Sequence, residues 1–268
     1  MSAEAPGAPI PLETLPNLRD VGGWPTADGR YVRRGVLYRS TALDRLSDAD
    51  AEVLAGLGIR CVVDFRTETE RTSQPDRELP GVRALAEDLL ADSQIAIPAQ
   101  LQAFFRDPGQ AAGFLASGRA DDAMRAAYSE IISLPSARAG YAEFYRLLLA
   151  DDDVPLLYHC TTGKDRTGWA TAALLALLGV SEADIYREYL LTNEQLLPAL
   201  EPVMARFEAS GASRDKLIPV LGVDASYLDG AFAAVRSEFG DIEGYFTDGL
   251  DITPDEQNAL RERLTSDA

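Results

Sequence analysis

Apolar residues recur along this chain with two periods. Residues 59–65 carry Cys61, Val62, Val63 and Phe65 in a nearly unbroken run, and 154–158 repeat the pattern, as expected of strands covered on both faces. A strand ending in Val36, Leu37 and Tyr38 and a weaker one at 82–85 are also predicted. Elsewhere the spacing shifts to three and four. Residues 47–57 predict a helix, with Ser47 as its cap, an acidic first turn and Gly58 as its stop. Further helices are predicted at 121–133, 136–149, 182–191, 194–209, 225–239 and 254–264. The last begins with Thr253 as cap, Pro254 at the first helical position and Glu256 completing a capping box. Strands alternating with helices imply an α/β fold, a central and mostly parallel sheet flanked by helices. Residues 1–16, rich in Pro, Ala and Glu without periodicity, are expected to form a flexible leader before one domain at 17–268. The stretch from Asp92 to Ala120 has no regular pattern.

Composition narrows the function classes. A formal charge of −18 over 268 residues disfavours nucleic acid and anionic membrane surfaces, so an anionic substrate must be captured locally. The apolar run from Trp169 to Val180 is short of the ~20 residues that a spanning helix needs, and reads as a buried helix. No basic region followed by an apolar stretch opens the sequence, and the two cysteines lie 99 positions apart, so no secretory signal or disulfide framework is expected. A cytoplasmic, reducing setting is the default. One histidine and two distant cysteines give no metal spacing, and no cofactor is expected.

The chemistry concentrates in 159–168, His-Cys-Thr-Thr-Gly-Lys-Asp-Arg-Thr-Gly, which follows a buried strand and opens a helix. That is where an anion sits in such a sheet. No proline interrupts Thr161, Thr162, Gly163, Lys164, Asp165 and Arg166, so every backbone amide is available, and Gly163 allows backbone angles closed to other residues. Cys160 at a helix N-terminus and near Arg166 is placed to ionise, and a thiolate is a ready nucleophile. Arg166 offers a planar fork for two phosphate oxygens. The alternative for Cys160 is an inert buried thiol at a strand end.

His159 and Cys160, with Arg166 and Thr167, match the Cys-x5-Arg-Thr signature of protein tyrosine phosphatases, and the loop resembles that of the mycobacterial protein tyrosine phosphatase B group. Asn17-Leu18-Arg19-Asp20, Leu37-Tyr38-Arg39-Ser40, Asp64-Phe65-Arg66 and Leu221-Gly222-Val223 with Tyr227-Leu228 are similar to further segments of that group, in the same order. The resemblance implies a tyrosine phosphatase fold and a phosphatase that forms a phosphocysteine on Cys160. It implies that Arg166 and the loop amides hold the phosphoryl group, that Thr167 hydrogen-bonds the thiolate and that His159 orients the loop. A plain structural role for His159 stays open. The Trp-Pro-Asp loop of many tyrosine phosphatases is missing, since Trp24-Pro25 is followed by Thr26. In the B group an aspartate of the phosphate loop serves as general acid, which assigns that role to Asp165. The other reading has Asp165 bracing the loop while Asp88, Asp92 or Asp20 donates the proton.

Lys164 is either a second phosphate contact, as in loops that accept phosphoinositides, or a solvated surface lysine. Asp64 and Arg66 lie at the carboxyl end of a strand and so can support or extend the site, and Asp20 with Arg19 either joins them or forms a structural ion pair. Cys61 is core packing or a redox partner of Cys160. The resemblance further suggests that the late helices form a mobile cover, and that phosphorylated proteins or phosphoinositides are substrates, with export by a signal-less route as the alternative to the cytoplasm. A rhodanese-like sulfur carrier and a non-catalytic phosphate-binding module are the competing functions.

Overall fold

The structure is a computed structural model describing residues 5–93, 117, 119–150 and 152–267. Its strands are β1 (Arg19–Asp20), β2 (Tyr31–Val32), β3 (Leu37–Ser40), β4 (Cys61–Asp64), β5 (Arg83–Ala86), β6 (Leu156–His159) and β7 (Thr265–Ser266). Five of them make one sheet in the order β1-β3-β6-β4-β5. The last four of that order run parallel, and β1 is antiparallel at the edge. Ser40, His159, Asp64 and Ala86 pair in one row, so the carboxyl ends of all four parallel strands face the same way. Strands β2 and β7 form a separate antiparallel ribbon.

Helices α1 (Asp48–Gly56), α2 (Glu68–Ser73), α3 (Arg119–Ser133), α4 (Pro135–Leu147), α5 (Arg166–Leu177), α6 (Glu182–Ala209), α7 (Arg214–Leu221), α8 (Ala225–Phe239), α9 (Ile242–Gly244) and α10 (Pro254–Leu264) flank the sheets, and a π-helical turn covers Tyr245–Gly249. The fold expected from the alternating pattern is therefore the observed one. Strands β4 and β6 are buried along their whole length, which explains their unbroken apolar character. Phe65 continues β4 into an aromatic cluster, meeting Tyr141, Phe144 and Tyr158 edge-on. All of α5 except Ala176 is buried, as the run of small and apolar residues implies. A second cluster of Ala120, Met204, Phe207, Leu217, Val220 and Leu221 joins the end of α6, α7 and the start of α3, apart from the main core.

The caps behave as expected. Ser47 accepts from the Asp50 amide, and Thr253 and Glu256 form the capping box of α10. Three expectations differ. The helices predicted at 182–191 and 194–209 are one 28-residue helix. The polar residues between them are spent on neighbours instead of capping: Thr192 Oγ1 accepts from Arg19, and the Asn193 amide bonds the backbone of Val223 in both directions. Helices α2 and α7 fall where none was expected. From Ala5 onward the supposed leader is packed, because Leu15 completes the apolar cover over Leu54 of α1 and Thr14 bonds the Asp50 carboxylate through both its amide and its hydroxyl. Most of the stretch without pattern, residues 94–116, lies outside the described residues. Among the described residues no single helix is long and apolar enough to cross a membrane.

Candidate active site

Strand β6 ends at His159 in the row of carboxyl ends, and α5 starts at Arg166, so residues 160–165 form a loop over that edge of the sheet. Gly163 adopts φ +64°, and a Cβ there would lie 2.0 Å from the Ser40 carbonyl oxygen. Only glycine fits both demands.

The first four loop carbonyls each have a partner outside the loop. Cys160 O meets His159 Nδ1 at 3.0 Å, and Thr161 O accepts from the Ala42 amide at 3.1 Å. Thr162 O accepts from Asn17 Nδ2 at 3.2 Å, and Gly163 O accepts from Asn17 Nδ2 at 3.1 Å and Arg39 Nη2 at 2.7 Å. A trans peptide points its N–H opposite to the preceding carbonyl. The amides of Thr161, Thr162, Gly163 and Lys164 are thereby turned away from those partners, the arrangement an anion nest requires.

A buried charge network stands behind the loop. Glu188 of α6 accepts from Arg19 Nε at 2.8 Å and from Arg39 Nη1 at 2.7 Å, and all three side chains are buried. Burial first, then the Arg39 charge, pulls the Arg19 guanidinium down to about 10, still protonated at neutral pH. Two cations against one carboxylate leave a positive charge beneath an anion site.

Cys160 is 2% exposed. Burial works against its thiolate, but the Arg166 charge and the Thr167 hydroxyl and amide outweigh burial and hold the thiol below its ordinary range. The Thr167 hydroxyl is fully buried near the sulfur and makes no geometric hydrogen bond among the described residues. Arg166 is gripped by Glu70 of α2, with Nη1 at 2.8 Å from Oε2 and Nη2 at 2.9 Å from Oε1. Arg166 Nη1 also reaches the Phe65 carbonyl at 3.1 Å. The Glu70 Oε1 atom accepts from the Thr161 hydroxyl at 2.5 Å as well. Burial opposes the Glu70 charge, yet Arg166 and the hydrogen bonds from Arg166 and Thr161 hold its carboxylate well below the usual range. Two edges of the Arg166 fork are thus occupied, and its Nε–H has no partner among the described residues.

His159 is fully buried, with Nε2 at 3.1 Å from Asp76 Oδ2. Burial disfavours its charge, but the close Asp76 carboxylate and the Asp64 charge overcome that and raise its pKa. Asp64, Asp76 and His159 bring ligand-type atoms within 4.8 Å of one another. Arg66 lies 2.7 Å from Asp64 and 2.8 Å from Asp76, so a guanidinium already supplies the positive charge that a metal would.

Several expected site residues sit elsewhere or work differently. Asp20 binds the amides of Gly22 and Gly35, and Gly35 precedes β3 at the edge opposite the loop, so Asp20 shapes a turn and does not reach a substrate. Asp64 and Arg66 bond each other, and Arg66 also donates to the Gln74 carbonyl, which makes them a brace behind His159 in place of a substrate contact. Lys164 is buried, with Nζ donating to the carbonyls of Val220 at 2.8 Å and Gly222 at 2.9 Å and lying 3.3 Å from Asp165 Oδ2. The solvated-lysine reading is wrong, because two of the three ammonium protons are committed to backbone carbonyls in this arrangement. Asp165 holds the N-cap position of α5 without a capping bond; its Oδ1 accepts from Tyr128 at 3.0 Å. The other acid candidates are engaged as well, Asp88 with the Glu68 and Leu90 amides and Asp92 with Ser136. Cys61 pairs in register with Leu156, four residues before Cys160, which separates the two cysteines by about 13 Å at ~3.3 Å per residue. That is twice the span of a disulfide, and burial pushes the Cys61 thiol up to about 11.

Sequence reasoning missed Glu70, Asp76, Asn17, Arg39, Glu188 and Tyr128 as site-building residues. For Glu70 a signal exists: Thr67-x-x-Glu70 is a capping box, and the structure shows both of its bonds. The same carboxylate caps α2 and clamps Arg166.

The model of the tyrosine phosphatase family matches residues 10–266. A Cupriavidus necator protein, whose name assigns it provisionally as a tyrosine-protein phosphatase, is 34% identical over 245 residues, 91% of this chain and 84% of the relative. The Mycobacterium tuberculosis triple specificity protein phosphatase PtpB is 31% identical over 254 residues, 87% of this chain and 90% of that protein. A Nostoc commune tyrosine-protein phosphatase is 27% identical over 294 aligned positions, 98% of this chain and 91% of the relative. With nearly the whole length matched by the family model and by relatives more than 30% identical, the chain belongs to the tyrosine phosphatase family.

Proposed function

We propose that this protein hydrolyses phosphate monoesters, phosphotyrosine among them, through a phosphocysteine on Cys160. The observation that carries the reading is the acidified Cys160 thiol beside an Arg166 held in place by Glu70. The Cys160 sulfur bonds phosphorus as the ester oxygen leaves, and Arg166 with the amides of Thr161, Thr162, Gly163 and Lys164 carries the oxygen charge. Asp165 gives its proton to the leaving oxygen. In the second step water attacks phosphorus, the sulfur–phosphorus bond breaks, and Asp165 takes the proton back.

The substrate range extends to phosphoserine, phosphothreonine or phosphoinositides, a reading supported by the triple specificity in the name of the M. tuberculosis relative. The separate cluster of α6, α7 and α3 acts as a cover that opens for substrates, since Cys160 and Arg166 are both buried. A lone acidic thiol suits a reducing compartment such as the cytoplasm.

Phosphate release from an aryl phosphate, phosphopeptides and a phosphoinositide, compared between the natural chain and Cys160→Ser, tests the proposal. Release that depends on Cys160 is expected with all three classes. Equal release by Cys160→Ser would refute the phosphocysteine, and release from phosphotyrosine alone would refute the broad range.

A further inference from the structure

We propose that Tyr128 is a positioning residue for proton transfer, fixing which oxygen of Asp165 carries the proton; this rests on the reading of Asp165 as general acid. Tyr128 comes from α3, lies 37 positions before Asp165 in the sequence and is 1% exposed. Its hydroxyl donates to Asp165 Oδ1 at 3.0 Å and makes a short contact with the Tyr189 hydroxyl of α6. A phenol has one proton, so once Tyr128 donates to Asp165 it can only accept from Tyr189. The chain of donors therefore runs from Tyr189 to Tyr128 to Asp165. Burial first, then the neighbouring Asp165 charge, raises both phenols well above their ordinary value near 10, so both keep their protons across the working pH range.

Among the described residues no other hydrogen bond sets the Asp165 side chain. It makes no capping bond to α5, and the ammonium 3.3 Å from Oδ2 is turned to two carbonyls of α7 and the turn after it. Besides Tyr128, the titratable groups around Asp165 are Lys164, Arg166 and Cys160 of the loop, Tyr141 of α4 and Tyr189 of α6. The tyrosine rings are wedged tightly. Tyr128 meets Tyr189 edge-on at 6.4 Å and Tyr227 of α8 at 5.6 Å, and a Cβ on Gly168 would come within 3.0 Å of the Tyr189 ring. Oδ1 accepts from Tyr128 throughout, which leaves Oδ2 as the oxygen that delivers the proton as the phosphorus–oxygen bond breaks. The same oxygen recovers a proton from water when the sulfur–phosphorus bond is hydrolysed.

The test is kcat/KM of the full chain on p-nitrophenyl phosphate, a good leaving group, and phenyl phosphate, a poor one, across pH. Tyr128→Phe, Asp165→Asn and the double variant are compared with the natural chain. A general acid contributes ~100-fold or more, and losing its positioning should lower kcat/KM on phenyl phosphate by about tenfold, with less than about twofold on p-nitrophenyl phosphate. The basic limb of the Tyr128→Phe profile should also move, and the double variant should be no slower than Asp165→Asn. If Asp165→Asn changes the leaving-group ratio and basic limb while Tyr128→Phe changes neither, Tyr128 only packs and the proposal falls alone. If Asp165→Asn itself leaves both unchanged, the acid assignment falls and takes the proposal with it. Should Tyr128→Phe fail to fold, Tyr189→Phe removes the donor one step back and should show the same signs at smaller size; no change there overturns the relay.

Discussion

Arg39 donates through Nη2 to the carbonyl of Gly163 over 2.7 Å, while its Nη1 holds Glu188 over the same distance. One guanidinium thus joins an early strand, the phosphate loop and a late helix, and it does so without exposure to water. The loop's shape is in this sense a tertiary property, fixed by an arginine 124 positions before the glycine it holds.

Arg39→Met should therefore destabilise the fold by about 3–5 kcal/mol, since it leaves a buried Glu188 with half its partners. Urea unfolding measures it. A loss under about 1 kcal/mol would mean that the network is worth no more than an exposed pair.

Glu70→Gln should lower kcat/KM by roughly ten- to a hundredfold, as about 1.4–2.7 kcal/mol of Arg166 positioning is lost. Its pH dependence has a defined sign. The folded Glu70 carboxylate ionises below the ordinary range, so its stabilising effect is complete above the unfolded value near 4.3 and fades as pH falls through the lower folded value. The natural chain should lose more stability between about pH 5 and 3 than Glu70→Gln, whatever their difference at neutrality.

Alkylation of Cys160 by iodoacetamide should show a midpoint below the ~8.5 of a free thiol, and Thr167→Val should raise it. Cys61 should not react in the folded chain at neutral pH. A Cys160 midpoint at or above the free value would contradict the acidified nucleophile.

Lys164→Ala should reduce activity toward phosphotyrosine peptide and phosphoinositide by the same factor, because the ammonium is committed to the carbonyls of Val220 and Gly222. It should also speed amide exchange in α7, where the loss of bonds to a charged group is worth about 1.5–3 kcal/mol. A selective loss on phosphoinositide would show that Lys164 leaves those carbonyls for a second phosphate.

The parts legible in the sequence were those written locally. Buried strands announced themselves by unbroken apolar runs, helix ends by Ser47 and Thr253, and the loop between strand and helix by a cysteine and an arginine at fixed spacing. What stayed hidden was set by tertiary contact. Nothing in the order of residues brings Asn17 and Arg39 to the loop carbonyls or Tyr128 to Asp165, and Asp20 next to Arg19 looked no different from a site residue although its carboxylate turns to the far edge. Glu70 was readable as a cap, but a capping box does not reveal that the second face of the carboxylate meets Arg166.

The distance between the two cysteines bears on how the enzyme survives oxidants. A peroxide that converts Cys160 to a sulfenic acid finds no second thiol close enough to trap it, since Cys61 sits at the other end of the neighbouring strand. Rescue has to come from a small thiol entering from solution, so recovery from a peroxide pulse should follow the concentration of added glutathione or dithiothreitol and should be unaffected by Cys61→Ala. The molecule's tolerance of oxidative stress then belongs to its surroundings more than to its own chain.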